Sequence, residues 1–249
     1  MPEKNLGKYR SKRDFTKTDE PSDEVNVPQA DRLRFVIQKH AASSLHYDLR
    51  IEFEGVFKSW AVPRGPSLNP RDKRLAVEVE DHPLAYGDFE GTIPEGEYGG
   101  GTVQLWDRGY WMPEGEKPAK RGLAEGDFKF SLQGERLQGS WVLVRMKQDR
   151  TGGNRTNWLL IKHRDASAVE SEGDAILRDD RSIASGRSMA AIASGKEPGP
   201  TPFMSGEKAG AAPDAVWETR KDQSATEEPK KRRKTLKAKR VSDKPAPKP

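Results

Sequence analysis

The sequence contains no cysteine, and only 4 of its 249 residues are histidine. The absence of cysteine excludes disulfide bonds, cysteine-ligated zinc sites and a thiol nucleophile. It also fits a reducing compartment, so we expect a cytoplasmic protein. The first residues, Met1 to Leu6, lack the apolar segment of a secretory signal. No apolar run approaches the length of a membrane span, and we expect no membrane partner.

Apolar residues are also scarce, at 33% of the chain, and charged residues are equally frequent at 33%. Such a composition indicates that part of the chain does not fold. The net charge of +5 is uneven: residues 230–249 hold ten Lys or Arg and one acid, so the other 229 residues sum to −4. A basic tail is typical of proteins that bind nucleic acid, although a solvated solubility tail has the same composition.

The most informative stretch runs from His46 to Phe53, where polar and apolar residues alternate strictly. This period of two predicts a half-buried strand. Its polar face carries His46, Asp48 and Arg50 in order. Imidazole and carboxylate groups bind divalent metals, and guanidinium is the preferred group for phosphate. His40 completes a set of two histidines and one carboxylate if the small residues between them turn the chain back.

The distribution of histidine supports a site here, because His40, His46 and His82 fall within one short region. A histidine–aspartate pair on a strand surface is the competing interpretation. The fourth histidine, His163, is expected to lie at the surface, at the end of a strand.

Further alternating or apolar segments predict a mainly-β protein. The predicted strands are 33–39, 46–53, 56–62, 74–80, 102–107, 127–132, 140–146 and 157–163. Strands at this spacing, without intervening helices, predict an antiparallel barrel or sandwich. Its core is expected to contain four tryptophans: Trp60, Trp106, Trp141 and Trp158. The Glu54-Gly55 pair predicts a tight hairpin turn.

The strand 74–80 is expected to point its apolar residues inward: Leu75, Val77 and Val79. Composition divides the chain into an arm (1–27), a β-domain (28–165) and a low-complexity linker with a disordered basic tail (166–249). Within the last part, residues 183–192 are the one segment that favours a short helix.

Five motifs together resemble the 3′-phosphoesterase domain of bacterial DNA ligase D. They are FVIQKH (35–40), LHYDLR (45–50), KSWAVP (58–63), EDHPL (80–84) and IPEGEYG (93–99). The resemblance covers roughly residues 5–165 in order. It implies a compact antiparallel β-barrel with an active-site face and a manganese-dependent activity, with other divalent metals possible. The implied substrates are DNA 3′ ends in non-homologous end joining, where a 3′-terminal ribonucleotide is trimmed to a 3′-phosphate and the phosphate is then removed.

The resemblance also implies roles for individual residues. It assigns three to the metal: His40, His46 and Asp48. It assigns two to the scissile phosphate: Arg50 and His82. It places four more in the same pocket: Gln38, Arg74, Glu80 and Tyr86. It gives the ribose-removing step to three residues of the arm: Arg13, Asp14 and Glu20.

Some of these roles have structural alternatives. Arg64 stands where the family more often has lysine. Its planar guanidinium group differs in geometry from a lysine ammonium group, so its role stays open. Tyr86 is equally well explained as a packing residue, and Arg74 with Glu80 as an ion pair across the strand face. The residue that protonates the leaving oxygen stays open, with His82 as one candidate.

The sequence contains no Lys-x-Asp-Gly ligase motif and no polymerase segment. We therefore expect a free-standing or excised esterase that meets a DNA ligase and end-binding repair proteins in trans. Two other functions stay open. One is a non-haem iron(II) oxygenase, since two histidines and a carboxylate also form a facial triad. The other is a non-catalytic DNA-binding barrel.

Overall fold

Nine antiparallel strands dominate the structure, a computed structural model that describes residues 6–147 and 155–205. The strands are β1 (Arg34–Ala41), β2 (Leu45–Phe53), β3 (Val56–Val62), β4 (Arg74–Glu78), β5 (Gly91–Ile93), β6 (Gly101–Pro113), β7 (Asp127–Gly134), β8 (Gln138–Arg145) and β9 (Asn157–Lys162). Eight of them close into a barrel in the order β1-β2-β3-β4-β9-β8-β7-β6, and β6 pairs back with β1. The short β5 pairs with β6 outside this ring. The expected mainly-β barrel is therefore confirmed.

Helices are few and short in the described part of the chain. They are α1 (Gly7–Ser11), α2 (Ala119–Glu125) and α3 (Met189–Ala193), with 3-10 turns at Leu84–Asp88 and Ala175–Arg178. A helix long and apolar enough to cross a bilayer does not occur among the described residues.

The β2–β3 hairpin forms at the predicted turn. Glu54 and Gly55 have φ values of +48° and +83°. Positive φ at both central positions is the type I′ geometry that continues the twist of the flanking strands. The short turn therefore fixes the register of β2 against β3, in which Asp48 pairs with Ala61 and Arg50 with Ser59.

Aromatic and aliphatic side chains fill the barrel interior. Tyr47, Leu49 and Ile51 of β2 belong to the core, as the alternation predicted. The four predicted core tryptophans are each at most 2% exposed and belong to the same cluster: Trp60, Trp106, Trp141 and Trp158. The other face of β2 is thereby left for the polar residues.

Strand β4 has the opposite orientation to the predicted one. Ala76 is fully buried in the barrel core, whereas Leu75 is 41% exposed. Since side chains alternate along a strand, Arg74 shares the inward face with Ala76. The Arg74 guanidinium pairs with Asp72 at 3.0 Å and Asp174 at 3.3 Å. The prediction was wrong because an alternating pattern gives the period of a strand but does not identify which of its two faces is buried.

The outer face of β1 and β2 is covered as well. One apolar cluster on it joins the arm to the segment after β4: Leu6, Tyr9, Val56, Tyr86, Phe89, Ile93 and Val103. A second consists of Val36, Phe57, Leu84 and Met204. Beneath this cover, Gln38, Asp48 and Arg50 are each at most 6% exposed. The arm, whose docking the sequence left open, is therefore part of the site.

The segment 166–205 packs on the barrel, contrary to its interpretation as a linker. The Arg187 guanidinium pairs with the buried Glu90 carboxylate at 2.9 Å. Met204 is 1% exposed, and its backbone N–H donates to the Asp88 carboxylate at 3.0 Å. Single polar contacts of this kind produce no periodic pattern of apolar residues in the sequence. Neither periodicity nor composition could therefore predict that this segment packs on the barrel. The predicted helix in 183–192 is limited to α3.

The domain limits at residues 27 and 165 stay predictions. The basic tail, residues 230–249, lies outside the described residues. Its contact with nucleic acid, and the disorder expected for it, therefore stay predictions too.

Candidate active site

His40 and His46 are brought together by the β1–β2 hairpin. The register places these two residues directly opposite each other, and Gln38 opposite Asp48. Opposed residues of an antiparallel pair share one face of the sheet. The two imidazole centroids are 4.8 Å apart. One ligand atom from each of His40, His46 and Asp48 lies within 4.8 Å of the others. The chain therefore turns back between His40 and His46, as the proposed set of two histidines and one carboxylate required.

Hydrogen bonds decide which nitrogen of each imidazole faces Asp48. His40 Nε2 lies 2.8 Å from the carbonyl oxygen of Gly99, and His46 Nδ1 lies 2.9 Å from that of Ser44. A carbonyl oxygen only accepts, so these nitrogens carry the protons. The other ring nitrogens, His40 Nδ1 and His46 Nε2, lie 3.6 and 3.7 Å from carboxylate oxygens of Asp48. Metal-binding histidines are commonly oriented in this way by a second acceptor.

The resulting donor set fits a divalent cation. Two imidazole rings and a carboxylate each direct one ligand atom to the same place, and these are donor types that bind divalent metal ions. Burial acts to raise the pKa of the Asp48 carboxyl, but the Arg50 guanidinium together with His40 and His46 outweighs it, and the pKa lies below its ordinary value. Asp48 is therefore an anion at neutral pH. Within residues 6–147 and 155–205, no other group of three such side chains converges.

Arg50 is held beside this group by a fixed set of acceptors. Its Nε donates to the Gln38 side-chain oxygen at 2.7 Å, one Nη to Ser59 Oγ at 3.1 Å, and the other to Asp48 at 3.3 Å. The Gln38 amide group donates in turn to the backbone oxygen of Tyr86 at 3.1 Å. Gln38 thus orients Arg50. A guanidinium has five N–H donors, so two remain for a bound anion.

Arg13 reaches the same cluster from the arm. Its Nε donates to Glu20 at 2.8 Å, and Nη1 donates to Glu80 at 3.2 Å. Its Nη2 lies 3.3 Å from His82 Nε2. The guanidinium carbon is 3.9 Å from the centre of the Tyr9 ring, within the range of a cation–π contact. The Arg13 side chain is only 4% exposed, so it is packed within the site.

His82 is held as a neutral imidazole. Its Nδ1 lies 2.9 Å from the Glu80 carbonyl oxygen and therefore carries the proton, which leaves Nε2 to accept from Arg13. Burial, and then the positive charges of Arg50 and Arg13, hold the pKa of His82 well below its ordinary value.

At pH 6 His82 is expected to remain neutral and Nδ1-protonated, whereas an unperturbed histidine, with a pKa of about 6.5, is mostly charged there. Because the folded pKa is below the unfolded one, His82 contributes stability above about pH 6.5 that is lost as pH falls toward the folded pKa. A ¹H–¹⁵N spectrum of the ring nitrogens, assigned with His82→Gln, measures the tautomer. An imidazolium signal from His82 at pH 6 would contradict this arrangement.

With this geometry established, comparison with known proteins identifies the family. Residues 38–145 match the family model of the DNA Ligase D 3′-phosphoesterase domain. Residues 38–145 of the chain belong to this family. The resemblance noted in the five sequence motifs is confirmed, and the matched residues include the His40, His46 and Asp48 group as well as Arg50 and His82.

Curated relatives of this chain are much longer proteins. The multifunctional non-homologous end joining protein LigD of Pseudomonas aeruginosa is 41% identical over 231 residues, which are 91% of this chain and 27% of the relative. The LigD of Mycolicibacterium smegmatis is 37% identical over 184 residues, 72% of this chain and 23% of the relative. The Mycobacterium tuberculosis non-homologous end joining DNA repair protein LigD is 42% identical over 145 residues. The chain thus spans about a quarter of these relatives or less.

The structure brings most of the phosphoesterase-family residues into one cluster. Tyr86 is 2% exposed and its hydroxyl donates to Glu20 at 2.9 Å, while its ring lies 4.6 Å from the Arg50 guanidinium carbon. Glu80 accepts from Lys12 at 2.9 Å as well as from Arg13. The catalytic and binding roles of these residues stay predictions.

Three other predicted site residues make none of the contacts described above for this cluster. Arg74 shares the inner face of the barrel with Ala76 and pairs with Asp72 and Asp174, so its predicted pairing with Glu80 was wrong, while its place in the pocket stays a prediction. Asp14 is 43% exposed and pairs with Lys17 at 3.2 Å. Arg64 is exposed in the turn after β3, at the end of the barrel where His46 begins β2.

Sequence reasoning missed several side chains that complete the site. Ser59 binds Arg50, and Tyr9 packs against Arg13. Lys12 and Tyr98 both reach Glu80. Lys12 adjoins Arg13, and Tyr98 lies in the glycine-rich IPEGEYG motif, so both carried a signal. Ser59 lies in the KSWAVP motif and carried the same kind of signal. Tyr9 had none, because its packing depends on docking of the arm.

Proposed function

We propose that the chain is a metal-dependent hydrolase of phosphate esters at DNA 3′ ends. The observation that carries this proposal is the convergence of His40 Nδ1, His46 Nε2 and the Asp48 carboxylate beside the buried Arg50. Hydrolysis of a phosphate ester is favoured by a metal ion and fixed cations around the phosphoryl oxygens. Membership of the 3′-phosphoesterase family supports the same reaction class.

The proposed ion is Mn²⁺, with other divalent metals as alternatives. His40, His46 and Asp48 would hold it, because imidazole and carboxylate ligands together suit such an ion. When bound, it would neutralise charge on a phosphoryl oxygen and lower the pKa of a water molecule.

The protein's own cations would bind the phosphate. Arg50 has two N–H donors left over and would clamp two phosphate oxygens. Gln38 and Ser59 hold it in place before substrate arrives, so little reorganisation is needed during the reaction. Arg13 supplies a second positive charge near His82. These groups are largely desolvated, which strengthens their attraction for an anion.

His82 would act on protons only after substrate binds. In its observed tautomer Nε2 is an acceptor, so His82 cannot donate a proton to a leaving oxygen from that atom. The negative charge of a bound phosphate acts to raise its pKa. His82 would then take up a proton at Nε2 and either stabilise the phosphoryl charge or transfer that proton to the leaving oxygen.

The proposed substrates are DNA primer–template ends that carry a 3′-phosphate or a 3′-ribonucleotide. The relatives are named for non-homologous end joining, and we propose that this chain heals ends for the same process. Its products would be 3′-hydroxyl ends, which a DNA ligase consumes. A ligase and end-binding repair proteins are thus its proposed partners in trans.

A single-turnover assay on both substrates tests the proposal. The metal-stripped chain is mixed with a labelled primer–template that ends in 3′-phosphate or in a 3′-ribonucleotide, with and without added Mn²⁺. We expect release of inorganic phosphate and of the ribonucleoside only when the metal is present. Binding without release would favour the non-catalytic barrel, and a requirement for iron and a 2-oxo acid would favour the oxygenase.

Asp14→Ala is expected to impair ribonucleotide removal while phosphate removal stays close to wild type. The Asp14 carboxylate is exposed and pairs only locally, with Thr16 and Lys17, so its loss leaves the Arg50 cluster intact. Rates on the two substrates are compared in one series, with Asp31→Ala as a control for an exposed acid outside the arm. Equal loss of both activities would refute a selective role for Asp14.

A further inference from the structure

One aromatic side chain at the site is exposed and yet held in position. Tyr98 is 45% exposed, whereas Tyr9 and Tyr86 are buried. Among the described residues it is the only aromatic side chain with such exposure. The next residue, Gly99, offers its carbonyl oxygen to His40. The Tyr98 ring is therefore attached, through one peptide unit, to the group that orients a proposed metal ligand.

Polar contacts orient the Tyr98 ring. Lys12 Nζ donates to its hydroxyl at 2.9 Å, and the hydroxyl lies 3.5 Å from Glu80 Oε2. Lys12 Nζ is 4.4 Å and the Arg13 guanidinium carbon 5.5 Å from the ring centre. Lys12, Arg13 and Glu80 thus fix a ring that still presents a large surface to solvent.

We propose that Tyr98 is a stacking platform for the base of the nucleotide that bears the 3′-phosphate. The inference rests on the proposed function and extends it to recognition of the terminal nucleoside. Arg13 connects the ring to His82, so the platform lies beside the phosphate-binding cations. A terminal base has one face that no neighbouring base covers, and an aromatic ring stacks on any base without reading its identity.

The platform predicts binding to DNA ends of any sequence, with affinity that depends on a base being present. Stacking of one base on one aromatic residue changes affinity by roughly 5- to 150-fold when the ring is removed. A tyrosine that only positions Lys12 and Glu80 would instead affect every substrate equally.

A cycle of two variants and two substrates separates these roles. The substrates are two matched primer–templates that both end in a 3′-phosphate. In one the terminal residue is a normal nucleoside, and in the other it is an abasic sugar. For wild type, KM is expected to be at least 5-fold higher for the abasic end. In Tyr98→Leu that ratio should fall to about 1, and in Tyr98→Phe, which keeps the ring and loses the hydroxyl contacts, it should persist.

Fluorescence of 2-aminopurine at the terminal position gives a second readout without turnover. In the presence of chelator, binding of the wild-type chain is expected to quench it, and Tyr98→Leu to quench it less. Tyr110→Leu, on β6, serves as the control for a tyrosine remote from the site. If Tyr98→Leu raises KM equally for both substrates and leaves the quenching unchanged, the platform is refuted while the esterase stands. If the wild-type chain releases phosphate from neither substrate, the proposed function itself fails.

Discussion

Asp48→Asn is expected to lower 3′-phosphate release by about 10³-fold or more. The substitution keeps the size of the side chain and removes the one anionic ligand of the proposed ion. Loss of metal-based charge stabilisation is worth several kcal/mol in the transition state, and each 1.4 kcal/mol is tenfold in rate. Single-turnover phosphate release and Mn²⁺ binding by equilibrium dialysis should fall together.

Two further variants make this result interpretable. Asp48 also balances the buried Arg50, so Asp48→Asn is checked for folding by circular dichroism. His46→Ala gives the same test at a side chain that is 22% exposed, where folding is less at risk. Asp127→Asn, which removes an exposed carboxylate paired with Lys117, should leave release unchanged. Wild-type release by His46→Ala in chelator would refute the metal site.

Arg13→Ala is expected to destabilise the fold by about 3–5 kcal/mol and to abolish phosphate release. The variant leaves the Glu20 carboxylate, whose side chain is 1% exposed, without its cationic partner, and an uncompensated buried charge has this cost. Glu80 also loses Arg13 but keeps its ion pair with Lys12. The substitution also removes the contacts by which Arg13 holds the arm against Glu80 and His82. Urea denaturation measures the loss of free energy of unfolding.

The matched control is Arg10→Ala in the same arm. Arg10 pairs with Asp23 but its side chain is 65% exposed, so solvent screens the pair and stability should hardly change. A similar small effect for Arg13→Ala would mean that the arm is not a structural part of the site. If Arg13→Ala folds with wild-type stability but loses release, Arg13 acts on substrate alone.

The local chemistry of the site could be predicted from the sequence. The alternation in β2 placed Asp48 and Arg50 on one face, and the spacing of His40 from His46 required a hairpin that the structure contains. These inferences succeeded because strand periodicity and turn length are local properties of the chain. The family motifs added the expectation of a closed barrel.

Long-range packing could not be predicted in the same way. Arg74 lies on the inner face of the barrel and pairs with Asp174, which is 100 residues away in the chain. Anchoring of the segment 166–205 depends on single polar pairs such as Glu90 with Arg187. Arg13 was assigned to substrate, yet its role in joining Glu20, Glu80 and His82 appears only once the arm docks. None of these contacts leaves a periodic pattern in the sequence.

A parallel titration of Mn²⁺ binding and phosphate release tests the central claim most directly. The metal-stripped chain receives increasing Mn²⁺ while bound ion and single-turnover release from a DNA 3′-phosphate are measured in the same samples. The account predicts one ion per chain, with release rising in proportion to occupancy, and neither in a chain carrying His40→Ala, His46→Ala and Asp48→Ala. Full phosphate release by the wild-type chain in chelator, or undiminished release by the triple variant, would contradict it.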